Sequence, residues 1–248
     1  MIMRRYLTVC VATCLLAAAP LFSQSSNFIE KAKYFLQTEQ MPDASKFLPD
    51  YPAFGSELFL GDSIVYEAGK RLRDTARGSV AVEDASTSIR HILKRFSPAM
   101  GVEMTPETFP KLASLVYRSN ATARLSITYA KDYYHRMRPY QYFNEPTPIP
   151  EEEAKDDLTS YPSGHTIRFW TAALVLAALD PDHQEEILKT GYECGQSRTI
   201  VGYHYQSDVD AARLAASAAY ARMSVDPGWR KAFRKARKEF RRKTGASL

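Results

Sequence analysis

The sequence predicts an all-α fold. Apolar residues recur at helical spacing through most of the chain, and the alternating pattern of a half-buried strand is scarce. Proline follows a polar capping residue at several points where a helix should begin, as in Thr105-Pro106 and Asp226-Pro227. A chain of 248 residues, 45% of them hydrophobic, can bury one sizeable core. We therefore expect a single-domain multi-helix bundle.

The first residues have the pattern of an exported protein. Arg4 and Arg5 precede an apolar run over residues 6–22, and small residues then lead to Ser23. This run is marginal for a membrane helix, which needs about 20 apolar residues. A lipid anchor on Cys14 is disfavoured because a threonine precedes it. We predict a signal peptide over residues 1–23, a domain over residues 24–248, and a periplasmic or secreted location.

Removal of this leader changes the cysteine and charge balance. Cys194 becomes the only cysteine, so an internal disulfide is excluded and a buried helical thiol is expected. The net charge falls from +5 to +3, and residues 230–243 alone hold nine Lys or Arg. Since the basic charge lies in one tail, it does not indicate nucleic-acid binding, and we expect none. No later run is long enough for an integral membrane span.

The predicted elements follow one another from the N-terminal half onward. Helices are expected over 57–75, over 78–95, from Thr105 to about Tyr134, over 163–179, after Asp180-Pro181, and after Asp226-Pro227.

Residues 139–162 hold five prolines and an acidic cluster, so they predict a long loop. The cluster comprises Glu151, Glu152, Glu153, Asp156 and Asp157, which we interpret as solvated in preference to a lid.

The last predicted helix is amphipathic. One stripe carries Trp229, Phe233, Ala236 and Phe240, and Lys and Arg occupy the other positions. Docking of this stripe on the domain or on a sister subunit is the first interpretation, and we expect a homo-oligomer. Binding of the helix to an anionic membrane surface is the alternative.

Three cations stand out as candidates for binding phosphate. Lys131 and Arg138 are two helical turns apart, so they would share one face of a continuing helix that ends before Pro139. Arg198 is the third. Arginine presents a planar donor fork that fits phosphate oxygens, and lysine presents a compact charge. Alone, each of them is more often a solvated surface residue.

The tetrapeptide Pro162-Ser163-Gly164-His165 directly precedes an apolar helix. The backbone amides at a helix N-terminus form an anion site, and Gly164 allows an oxyanion to approach the backbone closely. Ser163 adds a hydroxyl donor. Considered alone, the same residues would make an ordinary serine cap with a turn glycine.

His204 and Asp208 are four residues apart, so they would share one face of a helix. A carboxylate that accepts from one ring nitrogen fixes the tautomer and leaves the other nitrogen free to attack. Alone, this spacing more often gives a structural His–Asp pair. The sequence has no HExxH motif or cysteine cluster, and we expect neither a metal nor another cofactor.

Together these elements resemble, in order and spacing, the signature of the PAP2-type phosphatase superfamily: Lys-x6-Arg-Pro, Pro-Ser-Gly-His and Ser-Arg-x5-His-x3-Asp. The chain looks most similar to the bacterial class A non-specific acid phosphatases. Their middle motif begins with glycine, where this chain has Thr159. The resemblance also includes the stretch from Phe47 through Asp84, and it implies the all-α bundle shared with the vanadium haloperoxidases.

The resemblance also implies roles for eight residues. His204 would be the nucleophile that forms a phosphohistidine, Asp208 would orient it, and His165 would serve as acid and then base. The residues that would hold the phosphate oxygens are Lys131, Arg138, Ser163, Gly164 and Arg198.

The implied activity is hydrolysis of phosphate monoesters at acidic pH, with a broad range of nucleotide, sugar or aryl phosphates and possible phosphotransfer to alcohols. A vanadium-dependent haloperoxidase, a membrane lipid-phosphate phosphatase and a periplasmic phosphate-binding module remain as alternatives. His135 is interpreted as structural or as a residue at the rim of the site, and His91 and His183 as surface residues.

Overall fold

The computed structural model describes residues 33–153 and 158–245, and in this part of the chain every regular element is a helix. The α-helices are, in order, α1 (Glu57–Lys70), α2 (Ala76–Glu83), α3 (Ile89–Phe96), α4 (Pro110–Leu125), α5 (Thr128–Tyr134), α6 (Pro139–Tyr142), α7 (Pro150–Glu153), α8 (Gly164–Leu179), α9 (Gln184–Ile200), α10 (Gln206–Ser224) and α11 (Pro227–Thr244). Three-residue 3₁₀ turns lie at Thr38–Gln40, Ala44–Lys46 and Pro181–His183. The predicted all-α fold is confirmed.

Helix α8 is the central element of the bundle and packs against α4, α9 and α10. It is apolar around nearly its whole circumference, as expected of a helix covered on all sides. Small residues let its neighbours approach closely. A Cβ added at Gly191 of α9 would lie 2.5 Å from the Cβ of Ala173, so only glycine fits this contact. The predicted helix over 163–179 is confirmed, and Ser163 is its N-cap.

Several predicted helices are interrupted where polar residues terminate them. The helix predicted over 57–75 ends at Lys70, and the one over 78–95 is split into α2 and α3 by a second cap at Ser88. The helix predicted from Thr105 begins only at Pro110, because the Thr105 and Thr108 side chains close a separate turn. It breaks near Ser126, whose hydroxyl donates to the Ala123 carbonyl.

The expectation that a helix runs through Lys131 to Arg138 is also wrong. Helix α5 ends at Tyr134, and His135 takes a left-handed conformation with φ of 44°. Pro139 then begins α6 instead of ending α5, because proline is tolerated in the first helical turn. Within the described part of the predicted 139–162 loop, α6 and α7 provide two short helical turns.

The C-terminal helix docks on the domain, as the first interpretation predicted. Trp229, Ala236 and Phe240 are buried, and α11 packs against α4. Glu239 is buried as well, and its Oε2 accepts from the backbone N–H groups of Lys111 and Leu112 at 2.9 and 3.0 Å. This carboxylate therefore caps the N-terminus of α4, which lacks a cap of its own.

Two further predictions about the domain can be compared with the structure. Cys194 is buried inside α9, as expected. No helix among the described residues is long and apolar enough to cross a membrane. The predicted signal peptide and its boundary lie outside the described residues.

Candidate active site

The three sequence motifs converge on one pocket of about 500 Å³. Six of the eight predicted site residues line this pocket, although they come from separate segments of the chain. Those that line the pocket are Lys131, Arg138, Gly164, His165, Arg198 and His204. Asp208 and Ser163 lie directly behind it, fully buried.

His204 and Asp208 form a buried pair at the start of α10. Their Nδ1 and Oδ2 atoms are 3.3 Å apart, and the same carboxylate oxygen caps α10 by accepting from the Tyr205 N–H at 2.9 Å. The cap fixes the carboxylate relative to the helix, so the imidazole orientation is fixed as well. The motif places His204 one residue before the cap and not on the helix itself.

Asp208 accepts further hydrogen bonds that hold it ionised. Arg136 Nη1 donates to Oδ1 at 2.6 Å, and the Ser160 hydroxyl donates to Oδ2 at 2.6 Å. Burial opposes ionisation of this carboxyl, but the nearby Arg136 and His204 outweigh it and hold the pKa of Asp208 below its usual range.

The opposite nitrogen of His204 faces a cation. Nε2 lies 3.3 Å from Nη1 of Arg138. A guanidinium only donates hydrogen bonds, so Nε2 carries a lone pair and Nδ1 carries the proton given to Asp208. Burial, together with the charges of Arg138 and Arg198, lowers the pKa of His204 to about 3. The imidazole is therefore neutral across the usual acidic range, and its Nε2 lone pair faces the pocket.

His165 is oriented by a backbone carbonyl. Its Nε2 lies 2.5 Å from the carbonyl oxygen of Asp84, which can only accept, so Nε2 must carry a proton. Its ring stacks on Phe169 one turn further along α8. Burial and the nearby Arg198 lower the pKa of His165 well below its usual value. Protonation of Nδ1 would make this ring a proton donor.

Two of the cations are held through Thr159 and Tyr203. Lys131 Nζ donates to the Thr159 carbonyl, and Arg138 donates to the Thr159 hydroxyl and to the Tyr203 carbonyl, each at 3.3 Å. The Tyr203 ring lies 4.2 Å from Cζ of Arg138 and 4.7 Å from Cζ of Arg198. This aromatic face therefore lies against both guanidinium groups and restrains them.

Arg198 is almost completely buried, and part of its guanidinium group remains available to donate hydrogen bonds. Its Nη2 donates to Glu152 Oε2 at 2.5 Å, while its Nε and Nη1 are buried without a hydrogen-bond partner among the described residues. Buried donors of this kind are costly unless an acceptor meets them. The predicted solvated role of the acidic cluster is wrong for Glu152, whose carboxylate lies in the pocket. Asp156 and Asp157 lie outside the described residues.

Ser163 and Gly164 shape the entry to α8. The Ser163 hydroxyl accepts from the backbone and side chain of Thr166 at 3.2 and 3.0 Å, so its own proton is left to be donated. Gly164 lines the pocket, and a Cβ added there would lie 3.5 Å from Arg124 Nη1 and from Lys131 Cε. The absence of a side chain therefore keeps the helix N-terminus close to the cations.

Sequence reasoning missed several residues that support this site. Arg136 lies two positions before Arg138 and is fully buried between Asp208 and Asp62, whose Oδ2 accepts from Arg136 Nη2 at 2.8 Å. The position of this arginine within the Lys-x6-Arg-Pro motif is only a weak indication that its side chain is buried. Glu152 was named only as part of an acidic cluster for which a solvated role was preferred to a lid, and Tyr203 was not singled out.

The remaining histidines divide between surface and interior. His135 is exposed at the end of α5 and His183 is half exposed, so neither lines the pocket. The surface prediction for His91 is wrong. Its side chain is 16% exposed, and its Nε2 lies 3.5 Å from Oδ1 of Asp84. His91 thus belongs to the layer behind His165.

Comparison with known proteins agrees with this geometry. Residues 112–230 match the model of the PAP2 superfamily. A non-specific acid phosphatase of Providencia stuartii is 42% identical over 84% of both chains, and one of Salmonella typhi is 37% identical over 83% of both. An acid phosphatase of Zymomonas mobilis is 32% identical over 95% of this chain and 89% of its own.

The fold and the site therefore define a member of the PAP2 superfamily. Within that superfamily, the chain belongs to the family of the non-specific acid phosphatases, which are hydrolases. The family predicted from the three motifs is confirmed.

Proposed function

We propose that this protein hydrolyses phosphate monoesters at acidic pH and releases inorganic phosphate through a phosphohistidine on His204. The orientation of His204 carries the proposal: Nδ1 is bound to Asp208, and Nε2 faces Arg138 inside a pocket of cations. A satisfied structural histidine would not require unpartnered buried donors beside it, as Arg198 has.

The phosphate group would be bound by the cations and by the N-terminus of α8. Arg198 offers two unpartnered nitrogens, Ser163 offers its hydroxyl proton, and Gly164 offers a backbone position that no side chain obstructs. Lys131 and Arg138 complete the binding set. Donors fixed in advance stabilise the charge that develops on the phosphate oxygens, and losing one such donor typically slows an enzyme about 10²–10³-fold.

In the first step, the lone pair on His204 Nε2 attacks phosphorus while the ester P–O bond breaks. The departing alkoxide takes a proton from His165, and Asp208 stabilises the positive charge that forms on the His204 ring. The products are a phosphohistidine, a neutral alcohol and a neutral His165.

In the second step, His165 takes a proton from water as the water oxygen attacks phosphorus. The P–N bond breaks, its electron pair returns to Nε2, and inorganic phosphate leaves. An alcohol in place of water would give phosphotransfer by the same sequence. The residues assigned above bind only the transferred phosphate group, so esters of many different alcohols can react and we propose a broad substrate range.

The acidic optimum follows from the two histidines. His204 must be neutral and His165 must be protonated in the first step. With the pKa of His204 near 3, the nucleophile is available in moderately acidic solution. Burial disfavours protonation of His165, but the negative charge of a bound phosphate dianion favours it and raises the pKa of the ring again. Rising pH then deprotonates the acid, His165, while the nucleophile stays neutral, so the rate falls toward alkaline pH.

Location and assembly belong to the same proposal. A signal peptide over residues 1–23 would deliver the enzyme to the periplasm or the medium, where phosphate esters would be its small-molecule partners. We also propose a homo-oligomer. N-terminal sequencing of secreted protein and light scattering of the purified enzyme test these two points separately.

The activity itself is tested with p-nitrophenyl phosphate, a nucleotide and a sugar phosphate, assayed with EDTA from acidic to alkaline pH. We expect turnover of all three that peaks at acidic pH, is retained in EDTA and is lost in His204→Ala. Phosphate binding without turnover would indicate that the protein is a phosphate-binding module. Halide oxidation with vanadate and peroxide would indicate a haloperoxidase.

A further inference from the structure

Two arginines outside the three motifs lie directly beside the phosphate pocket. Arg124, near the end of α4, has its Nη1 3.5 Å from the position that a Cβ of Gly164 would occupy. Arg168 follows Gly164 by four residues on α8, so both lie on one face of that helix. Both arginines line the phosphate pocket and also a second pocket of about 440 Å³ beside it.

Neither guanidinium group has a carboxylate partner in the part of the chain that the structure describes. In residues 33–153 and 158–245, no ion pair or hydrogen bond joins Arg124 or Arg168 to an acidic side chain. Burial, and secondly the charge of Arg124, lower the pKa of Arg168 to about 10. The protein therefore holds two like charges together in a partly desolvated place, which costs free energy unless an anion lies between them.

The charged residues that line the two pockets also favour a bound anion. Among the described residues lining the two pockets, six are Lys or Arg and two are Asp or Glu. One of the two acids, Glu152, is bound to Arg198, and the other, Asp132, is exposed on the rim of the phosphate pocket. Lys33, one of the six basic residues, lines only the second pocket. A single phosphate at Gly164 does not neutralise this set.

We propose that Arg124 and Arg168 form a second anion subsite, which binds a phosphate or carboxylate carried by the leaving group of the substrate. The inference rests on the proposed function for the identity of the first site. The substrate class it selects is phosphate monoesters with a second anionic group, such as bisphosphates. Because Arg124 and Arg168 line both pockets, one substrate molecule can place an anion in each.

Binding of compounds that cannot be hydrolysed tests the subsite apart from catalysis. Calorimetry would compare propylphosphonate with propane-1,3-bisphosphonate and its ethane and butane homologues, on wild type, Arg168→Gln, Arg168→Lys and Arg234→Gln. Arg234 is exposed on α11 and lines neither pocket, so its variant controls for the loss of one positive charge.

We expect the best bisphosphonate to bind wild type about tenfold more tightly than propylphosphonate, the gain typical of an added charge-assisted contact. Arg168→Gln should lose most of that preference, whereas Arg168→Lys should keep part of it and Arg234→Gln all of it. Equal affinity for mono- and bisphosphonates at every linker length would overturn the subsite, as would an unchanged preference in Arg168→Gln.

Turnover of propane-1,3-diol monophosphate and bisphosphate gives the second measurement. We expect kcat/KM to favour the bisphosphate, after correction for its two equivalent ends, and Arg168→Gln to reduce that ratio. If neither these compounds nor p-nitrophenyl phosphate is hydrolysed but the binding preference stands, the proposed function fails and the subsite is supported. Hydrolysis of both without any preference would overturn the subsite alone.

Discussion

Arg136 and Asp208 form an ion pair that is completely buried beneath the phosphate pocket, with 2.6 Å between Nη1 and Oδ1. The other terminal nitrogen of Arg136 donates to Asp62 at 2.8 Å, and the guanidinium lies 4.0 Å from the centre of the Tyr205 ring. The Asp208 carboxylate, which binds His204, is thus itself held in place by Arg136. Helices α1 and α10 are joined at this point through the loop between α5 and α6.

Replacing Arg136 should destabilise the fold and not only the site. Arg136→Met leaves two buried carboxylates without their cation, and breaking a buried pair in this way costs about 3–5 kcal/mol. Urea denaturation at neutral pH measures the loss in the free energy of unfolding. Arg90→Met is the matched control, since its partner Glu107 is exposed and such pairs contribute about 0–1 kcal/mol. Equal losses in both variants would contradict the structural role of Arg136.

Glu152 should compete with phosphate for Arg198. Its carboxylate binds Nη2 of Arg198 at 2.5 Å inside the pocket, so an incoming phosphate must share or displace it. Glu152→Gln removes the charge with little change in shape, and we expect inorganic phosphate to inhibit this variant at a severalfold lower concentration. Product-inhibition kinetics measure the effect, with the exposed Glu151→Gln as control. Weaker inhibition in Glu152→Gln would show that Glu152 assists binding.

Phosphate should raise the pKa of His165. Burial and the charge of Arg198 depress it in the free protein, so the ring is neutral at mildly acidic pH. A bound dianion opposes both effects, and the pKa should move back toward its usual value. Titration of the imidazole protons by NMR, with and without inorganic phosphate, measures this directly. The half-exposed His183 serves as the internal control, and an unchanged pKa of His165 would argue against its role as the acid.

Thr159 should contribute to the rate through Arg138. The hydroxyl accepts from Arg138 Nη2 at 3.3 Å, and the carbonyl accepts from Lys131. Thr159→Ser keeps the hydroxyl, whereas Thr159→Gly removes it and also frees the backbone. We expect kcat/KM to fall about two- to tenfold in the glycine variant, the range for one neutral hydrogen-bond acceptor, and to change little in the serine variant. Identical kinetics in both variants would leave Thr159 without this role.

The local sequence pattern was sufficient to predict the helical class, the family and six of the residues that line the pocket, because each depends on short spacings along the chain. The N-caps of α8 and α11, which are Ser163 and Asp226, could be predicted for the same reason. Helix ends were harder: the break at Ser126 and the left-handed His135 depend on side-chain hydrogen bonds and on packing.

Contacts between residues that are far apart in the sequence could not be predicted from it. The contact of Arg136 with Asp62 spans 74 residues, and that of Glu152 with Arg198 spans 46. Nothing in the local pattern around Glu152 distinguishes it from Glu151, which is exposed. Arg124 and Arg168 were missed for a related reason, since each resembles an ordinary charge on a helix until the pocket between them is seen.

The most direct test of the mechanism is to trap the covalent intermediate. Enzyme mixed rapidly with a phosphate monoester and quenched in alkali, where phosphohistidine survives, would be digested and sequenced by mass spectrometry. We predict one phosphoryl group on His204, absent from His204→Ala, which should also lack turnover. Full turnover in His204→Ala, or a phosphoryl group on any other residue that forms and decays at the catalytic rate, would contradict it.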